Sequence, residues 1–129
     1  MTRTPAPERH VLVVDDVMLN RKLVLAFLSR MGWQCHEVDG GLPALDWLAS
    51  HPKPDLMLLD ISMPDLDGEA VCHQVRAMPA LAGLKIVAYT AHASSQDSER
   101  FLANGFDEVL IKPISMQRIK EVMHDLFGL

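Results

Sequence analysis

Three carboxylates, one hydroxyl and one ammonium stand at the ends of separate apolar runs, and as a set they could handle a phosphoryl group. Asp15 and Asp16 close "VLVV" (11–14), Asp60 closes "DLMLL" (55–59), Thr90 closes "KIVAY" (85–89) and Lys112 follows "EVLI" (108–111). Carboxylates crowded together repel and raise one another's pKa unless a cation favours their ionised forms. All-oxygen donors select a hard ion. Mg²⁺ fits, because it accepts a few carboxylates, keeps some waters and completes its shell with a phosphate oxygen. A lysine is out of place in a site for metal alone, yet suits one where an anion also arrives, and the Thr90 hydroxyl could donate a further hydrogen bond to that anion. Asp can act as the nucleophile toward a phosphoryl group while cations neutralise its equatorial oxygens. Asp60, alone at the end of its run, is the better nucleophile, leaving Asp15 and Asp16 for the metal. Taken singly, an Asp after a strand is usually a helix cap or turn former, Thr90 a strand-end cap and Lys112 a surface residue. The convergence of all of them carries the reading.

That convergence needs elements that deliver the run ends to one place. The four runs are nearly continuous in apolar residues, the pattern of strands covered on both faces in a parallel sheet, and "QCHEV" (34–38) is a weaker fifth. Between them lie helical patterns. Leu19, Leu23, Phe27 and Met31 form a predicted inward stripe, with Gly32 as a left-handed cap. Leu42, Leu45 and Leu48 mark a shorter helix that must stop near "HPKP", Val71 and Val75 a third, and Met116, Ile119, Met123 and Leu126 the last. "SSQDSERFLANG" (94–105) reads as a helix with a Ser start and a Gly stop whose only strongly apolar residues are Phe101 and Leu102: either a loosely seated, partner-facing surface or an ordinary solvated helix. The alternation predicts an α/β fold: a single doubly wound domain of (βα)5 type with a parallel sheet. Ligands of such sheets bind in the crevice outside the carboxyl ends of the strands.

Composition narrows the rest. The chain of 129 residues, 49% apolar, is sized for one domain with a sizeable core. Residues 1–9 read as a flexible polar lead-in or linker, and 10–129 as the domain. A net charge of −5 argues against nucleic acid or an anionic membrane as partner. Cys35 and Cys72 have no metal-ligand spacing and read as buried free thiols. There is no run of apolar residues long enough for a membrane span and no signal-peptide h-region at the start, so a cytoplasmic setting is expected. His36, His73 and His124 read as surface residues.

"VLVVDD" (11–16), "LLDISMPDLDG" (58–68), "AYTA" (88–91) and "IKP" (111–113) resemble, in order and spacing, the receiver domain of two-component response regulators, over about residues 10–129. "DDVMLNRKL" (15–23) and "TAHA" (90–93) look more like receivers attached to hybrid histidine kinases than like those of free-standing regulators; both remain open. The resemblance implies a five-stranded sheet in the order 2-1-3-4-5 and a phosphoacceptor role for Asp60. It implies Asp16 as a direct Mg²⁺ ligand, Asp15 acting mainly through a metal-bound water, and the backbone carbonyl of Ser62 as another ligand. Lys112 would bind the phosphoryl group and Thr90 would move toward it as the switch, with Lys112-Pro113 a candidate cis peptide. Ser62 and His92 stand where the lifetime of the phosphoryl group is tuned. Val109 departs from the pattern, since many receivers carry Tyr or Phe there, so a ring rotation coupled to the Thr is not expected.

No phosphorylated-histidine box or Gly-rich ATP site is visible. The implied partner is therefore a histidine kinase or histidine phosphotransfer domain, and the domain, a monomer or weak dimer, would be no enzyme beyond its own loading and hydrolysis. Two other readings compete. A phosphatase of the haloacid dehalogenase type would want a second acid where Ser62 stands. A flavodoxin-like binding or interaction module, never phosphorylated, would want a Ser/Thr- or Gly-rich phosphate loop after the first strand, where "DDVMLN" is acidic instead.

Overall fold

The computed structural model describes residues 8–129; most of the predicted lead-in, residues 1–7, lies outside that range. Five strands and five helices alternate: β1 His10–Val14, α1 Met18–Arg30, β2 Gln34–Val38, α2 Gly41–Ser50, β3 Leu56–Asp60, α3 Gly68–Arg76, β4 Lys85–Thr90, α4 Ser95–Ala103, β5 Glu108–Ile111 and α5 Met116–Phe127, with one 3-10 turn, Pro79–Leu81, before β4. The strands are all parallel, in the order β2-β1-β3-β4-β5. This is the doubly wound (βα)5 sheet with the expected order. β3 runs one residue later than its apolar stretch, so Asp60 is itself the last strand residue and pairs with Tyr89.

Strand residues alternate between two buried layers because successive side chains leave opposite faces. Leu12, Val14, Met57, Leu59, Ile86 and Ala88 pack with α2, α3 and α4. Val11, Val13, Leu58, Val87, Tyr89 and Leu110 pack with α1 and α5. Burial on both faces explains why β1, β3 and β4 read as unbroken apolar runs; the sheet edges β2 and β5 are only partly buried.

The inward face of α1 is not the stripe that the sequence suggested. Val24 and Leu28 are fully buried, whereas Leu19 is 77% and Leu23 41% exposed, and Phe27 and Met31 pack at the margin. Seven of the helix's thirteen residues are large apolar ones, so several columns at helical spacing compete, and tertiary packing chose another. Gly32 does follow, at φ +88. In α2, Ala44 and Leu48 face inward while Leu42, on the opposite side of the first turn, is 54% exposed. Helix α4 starts at the expected Ser: Ser94 accepts from the Asp97 amide and the Asp97 carboxylate accepts from the Ser94 amide, a capping box. Phe101 is its one buried residue and Leu102 faces out.

Cys72 is buried, Cys35 only partly, and both are free. His73 and His124 are exposed, as expected. His36 is not a plain surface residue: it is half-buried midway along β2, in line with His10 at the amino end of β1 and with Trp47 and His51. Among the described residues no helix is long and apolar enough to cross a membrane.

Candidate functional site

At the carboxyl end of β1 the chain must turn into α1, and Asp15 makes that turn while fully buried. Its Oδ1 accepts from the Val17 amide at 2.8 Å, an Asx-type turn, and its carbonyl accepts from Arg21 Nη1 at 2.8 Å. Arg21 is itself held by Glu37 at 3.0 Å, so β2 braces the end of β1. Asp15 Oδ2 is left over: it is the one buried side-chain oxygen with no hydrogen-bond donor among the described residues. Lys112 Nζ lies 3.0 Å from it, close enough for an ion pair though not oriented as a hydrogen bond. Asp16, next in line, is exposed.

Asp60 ends β3 and is 3% exposed. Its Oδ1 accepts from the Ser62 amide at 3.3 Å and lies 3.2 Å from Lys112 Nζ. Burial pushes its pKa up to about 6; the Lys112 ammonium pulls down against this and the Asp15 carboxylate pushes up further. Lys112 is carried in from β5: its amide donates to the Thr90 carbonyl at 2.7 Å, and the peptide to Pro113 is cis, as expected. Thr90, at the end of β4, does not reach the carboxylates; its hydroxyl donates to the His92 carbonyl at 3.1 Å.

One carboxylate oxygen from each of Asp15, Asp16 and Asp60 falls within a group spanning no more than 4.8 Å. A donor-free buried oxygen inside an all-oxygen cluster is what a hard divalent cation satisfies, so the residues fit Mg²⁺. The two further acids in the loop after β3 serve otherwise. Asp65 accepts from the amides of Gly41 and Leu42, capping α2, and Asp67 accepts from the Ala70 amide, capping α3. Between them and Asp60 the backbone is tight: a Cβ at Gly68 would come 2.3 Å from the Asp60 carbonyl oxygen. The site is therefore walled by the first turn of α3.

Val109, where an aromatic ring was absent from the sequence, is partly buried beside α4 in a shallow cleft of about 340 Å³ lined also by Ala93, Leu102 and Ile111. One site residue escaped the sequence reading. Tyr89 is buried beneath the cluster, with Lys112 Nζ 4.6 Å from its ring centroid. The signal was present in the strand period: Tyr89 pairs with Leu110, and Lys112 is two residues beyond Leu110 on the same face.

The family model described as the response regulator receiver domain matches residues 11–124. The chain belongs to this family. Two-component system protein A of Emericella nidulans is 35% identical over 98% of the chain, and the polar-differentiation response regulator DivK of Brucella anthropi 33% identical over 93%. This chain spans 18% of the former and 97% of the latter. The sensor histidine kinase RcsC of Escherichia coli and its Salmonella counterparts are matched over only 12% of their length. Among solved structures, the receiver domain of sensor histidine kinase PA1611 from Pseudomonas aeruginosa PAO1 is 26% identical with a TM-score of 0.83, covering 95% of this chain and all of that one; its structure has a magnesium ion coordinated in the active site cleft.

Proposed function

We propose that this receiver, spanning residues 10–129, takes a phosphoryl group from a phosphohistidine onto Asp60 in the cytosol. The donor is a histidine kinase or a histidine phosphotransfer domain, and the unit catalyses nothing beyond its own phosphorylation and dephosphorylation. The observation that carries this reading is the placement of one ammonium, Lys112, within 3.0 and 3.2 Å of two buried carboxylates on different strands. A buried acid pair facing a single lysine is poorly balanced by itself, and becomes balanced when a divalent cation and an anion enter together.

Asp60 supplies the attacking carboxylate oxygen, whose phosphoryl acceptance forms an aspartyl phosphate and releases the neutral imidazole of the donor. Asp15, Asp16, Asp60 and the Ser62 backbone carbonyl would hold Mg²⁺, which neutralises charge on the transferring group. Lys112 turns from its carboxylate partners to the incoming oxygens. Thr90 must give up its bond to the His92 carbonyl to reach them, and that exchange draws the start of the β4–α4 loop inward. With Val109 in the aromatic's place, the response is carried by residues 90–105.

The test is labelling by a phosphodonor in Mg²⁺. Asp60→Asn should abolish it while leaving the fold intact by circular dichroism, and retained labelling would refute the assignment. Lys112→Ala should weaken the response to phosphorylation more than it weakens Mg²⁺ binding; equal loss would mean that its role is misassigned.

A further inference from the structure

We infer that Tyr89 is a positioning residue for Lys112, its ring face serving as the third, non-directional partner of the ammonium. This rests on the phosphoacceptor reading above and goes beyond it. Lys112 Nζ has three positions to satisfy: Asp15 Oδ2 at 3.0 Å, Asp60 Oδ1 at 3.2 Å, and the Tyr89 ring with its centroid at 4.6 Å. The Lys112 side chain is 16% exposed and the whole of Tyr89 1%, so water covers little of the ammonium and none of the ring face beneath it. A π face attracts a cation most where the cation has lost its hydration.

The geometry follows from the sheet. Asp15, Asp60, Tyr89 and Lys112 have the parity of Val13, Leu58, Val87 and Leu110, all on the α1/α5 side, so four strand ends supply one side of the cleft. Tyr89 stands between Asp60 and Leu110 in the pairing and forms the floor.

The type of partner matters. A hydrogen-bonding side chain at this position would fix the ammonium in one direction, and that bond would have to break when an anion arrives. The ring holds charge without fixing direction, so Nζ can swing from Asp60 toward a phosphoryl oxygen while keeping the attraction below it. An aliphatic residue of similar size would fill the space but leave one side of the desolvated ammonium unsupported. Phenylalanine would preserve the effect, because the quadrupole and not the hydroxyl is used.

The experiment uses the full chain with Mg²⁺ and beryllofluoride as the probe. Calorimetry would compare the wild type with Tyr89→Phe, Tyr89→Met and Tyr89→Leu, together with the Mg²⁺ affinity of each and the Lys112 ε-methylene proton shifts of the wild type by NMR. Expected are beryllofluoride affinity in the Phe variant within about two-fold of wild type, a loss of about ten-fold in the Met and Leu variants, and unchanged Mg²⁺ affinity throughout. The wild-type ε-methylene protons should lie upfield of those of a solvent-exposed lysine, as they must above a ring face. A wild type that ignores beryllofluoride would remove the receiver reading itself. If the wild type binds it, then Met equal to Phe, Phe as weak as Met, or a matching loss of Mg²⁺ affinity would overturn the role of Tyr89 alone. Should both aliphatic variants fail to fold, unshifted ε-methylene protons in the wild type would overturn it.

Discussion

The two ends of one sheet solve opposite problems. At the carboxyl end, β1 and β3 bury Asp15 and Asp60 against a single lysine. At the amino end, the neighbouring strands β1 and β2 carry His10 and His36, which line up with Trp47 and His51 of the α2 end. His10 Nδ1 and His36 Nε2 are 2.9 Å apart, with ring centroids at 5.2 Å and planes within 10°. Two ring radii of roughly 1.1 Å plus that contact nearly reach the centroid separation, so the imidazoles meet edge to edge in a straight N–H···N bond with one shared proton. Beyond them, the Trp47 and His51 rings stack at 4.2 Å. At the amino end the His10, His36 and His51 rings find hydrogen-bond partners within the cluster, while the carboxyl end holds an oxygen, Asp15 Oδ2, that accepts no hydrogen bond. Polar groups can be buried for stability only when their partners are complete; an incomplete set marks where a ligand belongs.

The contrast can be broken most severely at Gly68. Gly68→Ala sets a methyl group against the Asp60 carbonyl and should destabilise the protein by about 3 kcal/mol, measured by urea unfolding, and should weaken Mg²⁺ binding as the end of β3 shifts. No change in either would mean that the α3 wall is pliable.

Removing the unbalanced charge should do the reverse. Asp60 has its pKa raised, so the folded state holds this proton more tightly than the unfolded chain; the stability it contributes is full below the unfolded value of 3.8 and is lost as pH rises through about 6. Asp60→Asn should therefore stabilise the metal-free protein at pH 7 by about 2 kcal/mol, with the gain vanishing near pH 4. Mg²⁺ should raise the unfolding midpoint of the wild type at pH 7 and lose that effect below pH 6. A metal-free Asp60→Asn variant no more stable than wild type at pH 7 would show that the carboxyl end is already balanced.

At the amino end, Trp47→Leu keeps an apolar side chain but removes the ring between His36 and His51. A loss of about 1 kcal/mol is expected, with phosphodonor labelling unchanged. A change in labelling would mean that the two ends communicate.

The smallest effect tests the sign of the contrast. The pKa of His36 is lowered by burial first and then by His10 and His51. Facing it are Glu8, which lies 3.6 Å from His10, together with Lys53 beyond the rings, and Asp55, which accepts from the His10 amide. The folded state thus prefers neutral His36, and its stabilisation is present above the unfolded pKa near 6.5 and lost as pH falls below it. The wild type should lose stability between pH 6.5 and 5 more steeply than His36→Gln, whereas Asp60 works in the other direction over the lower part of that range. A His36→Gln variant with the wild-type slope would contradict the shared-proton pair.

Much of the carboxyl end was legible because each of its residues follows a strand long and apolar enough to identify. β1, β3 and β4 are buried on both faces, which forbids polar interruptions until the strand stops, so Asp15, Asp60 and Thr90 stood out as the stops. Lys112 was legible because it follows the short apolar run of β5, although that edge strand is only partly buried. The amino end was opaque: His10, His36, Trp47 and His51 are scattered over 42 residues, and only the β1–β2 register and the return of α2 bring them into line. Helix α1 was misread because apolar residues cover more of it than its buried face requires, so Leu19 and Leu23 looked as inward as Val24 and Leu28. Tyr89 sits inside an apolar run that reads as core; its contact with Lys112 depends on how β5 pairs with β4, a property of register rather than of composition.

The most direct measurement is intact and peptide mass spectrometry of the wild-type chain after incubation with a small acyl phosphate, with and without Mg²⁺. One base-labile phosphoryl group per chain, formed only with Mg²⁺ and mapped to Asp60 by reductive trapping of the acyl phosphate, is the expected result. A phosphoryl group on any other side chain, or on Asp60 at the same rate with the metal chelated, would contradict the charge-balanced cleft.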